Sequence, residues 1–466
     1  MEQQDSVRTA AGSSSQTTIA LITTSLALFF IAFMNGGLSV ALPVISQEFN
    51  ADAILLSWVV TSQFVAVVMF SLPFGKIADM VGIKKIVIYG MIVYSIMSAV
   101  GACSDSIIML IISRAAAGIG GAMIFGNAQA LLTSIFPAKD RGRALGICIA
   151  ILYIGMSIGP FLGGIMTEHI GWRSIFWANV PAGLLVIVLM SWKIKGDWSH
   201  SRGEKFDISG SVIFGLAMLV LMYGFTILPA VSGLVLTVAG IFGVLIFLKW
   251  ETRIKSPILN VSIFKESKSL LFANIATLIN YCATSAVIFL MSLYLQYIKG
   301  LAPDQAGLIL LVQPAVQGVF SPLMGRLSDR IEPRIVASAG MTLTFVALLI
   351  FSFLTDVTPM SLILVTLVIL GLGFALFASP NSNAVMSAVA PKHYAVAAAT
   401  MGTMRTIGQT VGMGITMIVI ALVIGRAVIT PEYYPEFLTS TRIAFGISSA
   451  LCFAGIFASF YKDKAK

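Results

Sequence analysis

The sequence predicts an all-α, polytopic membrane protein, and three observations carry that prediction. Of its 466 residues 58% are hydrophobic and only 11% charged, less than half the charge that usually covers a soluble surface. Mean hydropathy is +0.96. Apolar runs of spanning length, ~20 residues each, recur from end to end, and a helix satisfies its own backbone in lipid.

Fourteen spans are read, near 18–42, 54–75, 84–103, 107–131, 143–167, 174–193, 208–229, 232–250, 269–296, 304–324, 335–355, 361–388, 396–425 and 440–461. Residues 1–17 are polar and are expected to form a disordered cytoplasmic N-terminus. They lack the basic n-region of a cleaved leader, so the first apolar run stays as a span. Spans one to six (18–193) form one six-helix bundle and spans nine to fourteen (269–461) another. Between them lie a cytoplasmic linker (194–207), two inserted spans (208–250) and a second linker (251–268), and 462–466 is a cytoplasmic tail.

An even number of spans puts both termini on one side. With that side cytoplasmic, it holds 23 of the 29 Lys and Arg residues, against four on the other, the bias expected of inward-facing loops. This topology accounts for the net charge of +9 without a nucleic-acid partner. The four cysteines and three histidines are scattered, with no metal spacing, so no metal or cofactor is expected. A prokaryotic plasma membrane and a monomer are the default expectations.

The chain repeats itself. "FGKIADMVGIKK" (Phe74–Lys85) and "MGRLSDRIEPRI" (Met324–Ile335) share a Gly, a basic residue, an aliphatic residue and an Asp at an offset of 250. Each follows the second span of its six-span unit, and internal repeats around a central site are a common build for secondary transporters.

"GKIADMVGIKK" resembles the signature between spans two and three of the major facilitator superfamily. "GMSIGPFLGG" resembles the span-five motif of its drug antiporters, and "RAAAGIGGA" (Arg114–Ala122) its span-four Arg motif. "GWRSIFWANVPAG" and "FDISG" are similar to patterns flanking span six in the fourteen-span drug:proton antiporter subfamily. The resemblance covers nearly the whole chain. It implies two six-helix bundles plus two inserted spans, and proton-coupled export of small amphipathic compounds by alternating access.

Several residues carry the chemistry that such a transporter needs. Gly155, Gly159 and Gly163 share one helix face, with Gly164 beside it. Small residues so spaced let helices approach closely in lipid, and Pro160 permits a kink. That face either packs tightly or slides against the other half of the molecule. Asp79 could pair with Arg141 or Arg143 to hold the cytoplasmic side shut. Its recurrence as Asp329, flanked by Arg326 and Arg330, favours a gate over a solvated charge.

Arg114 lies ~10 Å into span four and Arg405 ~13–15 Å into span thirteen, at 1.5 Å per residue. A charge that deep costs ~2.5–3.5 kcal/mol or more, so each should face a cavity or a partner. Both are read as cavity or proton-relay residues, with Asn35, Gln63, Gln313, Gln317, Asn381 and Gln409 around them. Some of these amides line a pathway and others bond between helices.

All 20 Asp and Glu fall in loops, tails or span ends. The resembling subfamily carries an Asp in span one, where this chain has Met34, and a Gln where it has Ala117. The departures weaken the case for cation export and turn attention to peripheral proton sites: Glu168 with His169 first, then Asp79, Asp207 and Glu251. With no embedded acid, the two arginines favour neutral, zwitterionic or anionic substrates.

No GxxxxGK[ST] stretch is present, which argues against ATP-driven transport by this chain. No cluster of His, Asp, Glu or Ser lies at membrane depth, which argues against an enzyme. The competing readings are an exporter of one specific metabolite or antibiotic, and a non-transporting sensor on the same fold.

Overall fold

The structure is a computed structural model that describes residues 14–461, apart from 138–139, 200–205, 229, 255–256, 259–266, 329, 390–393 and 426. Among the described residues fourteen helical segments are long and apolar enough to cross a membrane, as the apolar runs predict. The helices of the first half are α1 (Ser14–Phe49), α2 (Ala53–Val81), α3 (Ile83–Ala102), α4 (Ile107–Ile135), α5 (Arg141–His169) and α6 (Arg173–Lys193). Two more follow, α7 (Ile208–Thr226) and α8 (Val231–Glu251). The second half comprises α9 (Lys268–Thr284), α10 (Val287–Leu293), α11 (Pro303–Leu310), α12 (Val312–Ser328), α13 (Pro333–Phe351), α14 (Met360–Ser387), α15 (Tyr394–Val423) and α16 (Tyr434–Phe460).

Helices α9 and α10 form one span with a π-helical turn at Tyr294–Ile298, and α11 and α12 form another. The break between α11 and α12 has a local cause. Pro314 has no N–H to give the Leu310 carbonyl, so the ladder is interrupted where α11 ends. The first helix starts at Ser14, inside the segment expected to be disordered. Once an apolar run has nucleated a helix, each further turn is cheap, and polar residues at its open end can join it.

The signature after the second span was expected to be a loop. It is almost entirely helical: α2 runs through Asp79 to Val81 and α3 begins at Ile83, leaving Gly82 alone between them. Gly82 has φ +129°, a left-handed conformation open to glycine. The chain after α6 closes over this corner. Asp197 Oδ1 accepts from the Lys84 backbone N–H at 3.2 Å, and its Oδ2 lies 3.5 Å from Lys85 Nζ. Lys84 Nζ donates to the Ile194 carbonyl at 2.5 Å, and the Ile83 N–H to Trp198 O at 2.9 Å. A carboxylate thus sits on the N-terminal turn of α3, where the helix dipole favours it.

A Cβ on Gly82 would stand 2.1 Å from Asp197 Oδ2. Gly82→Ala is therefore expected to cost ~1 kcal/mol or more from the φ alone and to lift the linker off α3. Faster proteolytic cleavage after Lys195, compared with wild type in the same detergent, would show it. Unchanged cleavage would mean that Asp197 does not hold the linker.

Within the first half, α1 packs on α5, α4 on α2 and α3, and α3 on α6. Within the second, α14 packs on α12 and α13, α13 on α16, and α9 on α15 and α16. Helices α7 and α8 pair with each other, and α7 leans on α2 and α15. At the face opposite the chain ends, here the far face, Trp172 Nε1 donates to Glu48 Oε2 at 2.6 Å and Arg173 pairs with Glu48 Oε1 at 2.7 Å. The tryptophan and arginine of "GWRSIFW" thereby tie α6 to the end of α1.

The largest hydrophobic core draws on both halves, joining Phe33–Val60 to Leu290–Leu310 and Ile420–Phe445 near the far face. Toward the face of the chain ends, the terminal face, the cores separate. One cluster there holds residues of the first half alone, and a smaller one around Leu270 and Val385 holds residues of the second half alone. Gly126, Gly146, Gly318 and Gly402 have open space where a Cβ would stand. The seam between the halves is closed at the far face and parts toward the terminal face.

Candidate functional site

Two arginines organise the polar interior, one in each half. Arg114 on α4 is 1% exposed. Its Nε donates to the Val59 carbonyl of α2 at 3.2 Å, and its Nη2 to Asn35 Oδ1 of α1 at 2.9 Å. Tyr94 of α3 lies beside Arg114 and Gln63, so four helices contribute to one knot. The Tyr94 hydroxyl is buried against the Arg114 guanidinium and the Gln63 amide, which makes the contact among these helices a polar one.

Arg405 on α15 stands at the seam. Its guanidinium lies 5.0 Å from the ring centre of Tyr281 on α9. Tyr153 of α5, from the other half, lies beside Tyr281, Arg405 and Gln317 of α12. Gln313 donates to Gln317 at 3.3 Å, and both are buried. Tyr153, Tyr281, Gln317 and Arg405 each lie eleven to thirteen residues from the terminal-face end of their span, so the cluster occupies mid-membrane depth. Among the described residues no carboxylate pairs with either arginine.

The glycine motif divides between two jobs. Gly155, Gly159 and Gly163 face α1, within their own half: a Cβ on them would meet Phe29 O at 2.6 Å, Phe33 O at 2.9 Å and Gly37 Cα at 2.2 Å. Of the two roles open to this face, tight packing inside its own bundle is the one these contacts fit. The neighbouring face makes the seam. A Cβ on Gly164 would lie 2.4 Å from Pro303 O, and one on Gly307 2.2 Å from Pro160 O.

The remaining candidate residues are scattered. Asn381 donates to Thr277 Oγ1 at 2.7 Å and ties α14 to α9, and Gln409 is half-buried on α15. Asp79 is half-buried near the end of α2. The side chains of Arg141 and Arg143, and all of Asp329, lie outside the described residues; Arg326 and Arg330 are exposed. Glu168 and His169 are both exposed at the end of α5. Among the described residues the buried acids are Asp207 and Glu251 at the terminal-face end of α7 and α8, 9% and 3% exposed. Asp207 caps α7 by accepting from the Gly210 N–H at 2.9 Å, and also accepts from Trp250 Nε1 at 3.1 Å.

Met34 stands where the resembling subfamily is expected to carry an Asp. It is 1% exposed, and the Asn179 amide lies against its sulfur at 3.8 Å, with Asn179 Oδ1 unpartnered. A thioether is a weak acceptor, and the Asn179 amide makes its ordinary hydrogen bond to the Ile175 carbonyl at 2.9 Å. Sequence reading passed over Asp197, Tyr94, Tyr153 and Tyr281. The three tyrosines carried one signal, a hydroxyl in mid-span, but nothing in the sequence pairs them with an arginine on another helix.

Two helical halves packed around a polar, arginine-bearing seam define a membrane transporter rather than an enzyme. A sequence profile described as Major Facilitator Superfamily matches residues 24–256 and 273–466, and the chain belongs to that family. It is 32% identical over 410 residues to the Multidrug resistance protein Stp of Mycobacterium tuberculosis, covering 86% of this chain and 76% of that one. It is 26% identical to the Riboflavin transporter RibZ of Clostridioides difficile, covering 94% of this chain and 96% of that one. Among solved structures, a peptide transporter POT in complex with sulfate superposes with a TM-score of 0.68 at 13% identity, covering 93% of this chain and 94% of that one. A bacterial homologue of the lysosomal transporter Spinster, in an inward-facing and unoccupied conformation, also gives 0.68, at 15% identity, covering 96% and 97%. At such identities the structures speak for the fold alone.

Proposed function

We propose that this chain is a secondary exporter of small amphipathic compounds, working by alternating access and driven by proton antiport. The observation that carries this is the seam: closed by Gly164–Pro303 and Pro160–Gly307 at the far face, parted at the terminal face, with Arg405 and two tyrosines between. A site reached from one side at a time is what alternating access requires. The excess of Lys and Arg on the terminal side favours that side as cytoplasmic, in a bacterial plasma membrane, with the protein acting as a monomer. The relatives named for multidrug resistance support export as the direction.

A second reading, an exporter of one specific compound, is favoured by the riboflavin transporter relative, which aligns over nearly its whole length. The deciding experiment is accumulation of one cationic and one anionic fluorescent dye in everted membrane vesicles, with and without a protonophore. Energised accumulation of either dye that collapses with the protonophore is the expected result. If neither dye moves while riboflavin does, the specific reading replaces the general one.

A further inference from the structure

We propose that Arg405 is the substrate's counter-ion, and that the molecules this protein takes are planar aromatics bearing anionic charge. The inference deepens the export reading by assigning the chemistry of its central site.

Four observations lead there. Arg405 is half-buried at the seam, with its Nε sealed and without a hydrogen bond. Its electrostatic neighbours are Tyr281 and Tyr153, not an acid. The Tyr281 ring offers the guanidinium a cation–π face, 5.0 Å from its centre, which offsets some of the cost of a charge at that depth. A guanidinium has five donors in a planar fork, and a ring face uses none of them as a hydrogen bond does. Among the described residues no hydrogen bond to the fork is formed, and a carboxylate, sulfonate or phenolate matches its geometry.

The walls choose the rest of the ligand. Tyr153 closes the cluster from the first half, and Phe374 stands edge-on to Tyr281 with ring centres 6.0 Å apart. Flat apolar rings stack on such walls, and the buried Gln317 supplies an amide beside Tyr153. A cationic ligand would meet uncompensated positive charge, and selectivity is set as much by that repulsion as by attraction.

The test uses two dyes that share a xanthene ring: carboxyfluorescein, an anion, and rhodamine 6G, a cation. Binding to the purified full-length protein in lipid nanodiscs is read by fluorescence anisotropy. Wild type is expected to hold the anion about tenfold more tightly than the cation, and Arg405→Gln to weaken the anion about tenfold while leaving the cation unchanged or tighter. Arg405→Lys keeps the charge without the fork and should fall between the two. It also serves if the Gln variant does not purify as a single species.

Equal or tighter binding of the cation by wild type overturns the proposal. So does an anion that does not bind, or whose binding is indifferent to both substitutions. Transport is scored separately in vesicles. Arg405-dependent binding of an anion that never accumulates would sink the export reading and leave this one standing. Protonophore-sensitive accumulation of the cation, indifferent to Arg405, would do the reverse.

Discussion

Gly163→Leu is expected to leave no folded protein in the membrane, and Gly164→Leu to leave a folded protein caught with its far face open. The two residues are adjacent, and helix geometry separates their fates. A Cβ on Gly163 would stand 2.2 Å from Gly37 Cα and 2.9 Å from Gly37 C. Those are backbone atoms of α1, in the same bundle, and no rotamer can withdraw them. Ordinary overpacking costs ~1–3 kcal/mol because side chains shift; here two helices must part along their length, so the cost exceeds that range. A Cβ on Gly164 meets Pro303 O at 2.4 Å, but Pro303 belongs to the other half. Opening the far face removes that clash without unpacking either bundle.

The check has two readouts. Fluorescence-detected size exclusion should show a monodisperse peak for Gly164→Leu and none for Gly163→Leu, with Gly146→Leu as a control because nothing stands near its Cβ position. A membrane-impermeant maleimide should then label a cysteine at Gln296, whose amide reaches across the seam to Val40 O at 2.9 Å, faster in the Gly164→Leu background than in wild type. Equal labelling would mean that the Gly164–Pro303 contact is not what closes the far face.

The same pair of glycines shows what sequence could and could not reveal. Spans and fold class were legible because hydropathy is a property of single helices, summed along the chain. The shared face of Gly155, Gly159 and Gly163 was legible for the same reason, from spacing alone. Which helix that face meets was not, because Gly37 and Pro303 are equally silent in sequence and differ only in the half to which they belong. The depth of Arg114 and Arg405 could be counted from span ends, whereas their partners lie on other helices, dozens to hundreds of residues away.

Asp197 escaped for a different reason. It looked like one more charge in a polar linker, and its grip on the signature corner depends on the positive φ of Gly82 and on where α6 ends. The peripheral acids were ranked by neighbourhood in sequence, which favoured Glu168 beside His169. Burial ranks them otherwise: those two are exposed, while Asp207 and Glu251 are enclosed because the inserted pair α7–α8 folds back on itself.

Arg114→Leu is expected to leave thermal stability at or above that of wild type while lowering transport by more than about tenfold, the ~1.4 kcal/mol that one order of magnitude represents. The two halves of that statement rest on different physics. Replacing a buried charge by an apolar side chain of similar bulk is often neutral or stabilising, because the desolvation penalty goes with the charge. Asn35→Leu does the opposite. It keeps the guanidinium and removes the 2.9 Å bond from its Nη2, and a hydrogen bond to a charged group contributes ~1.5–3 kcal/mol.

The double substitution then separates structure from mechanism. If Asn35 serves only to satisfy Arg114, Asn35→Leu should destabilise wild type and not the Arg114→Leu background, a coupling that the four-variant cycle measures directly. Melting midpoints report that coupling. Vesicle transport reports whether the charge itself is used, since Arg114→Leu and the double variant should be equally inactive whatever their stability. Full transport by a stable Arg114→Leu protein would reduce the knot of Arg114, Asn35, Gln63 and Tyr94 to packing. The seam around Arg405 would then be the one place where buried charge meets substrate.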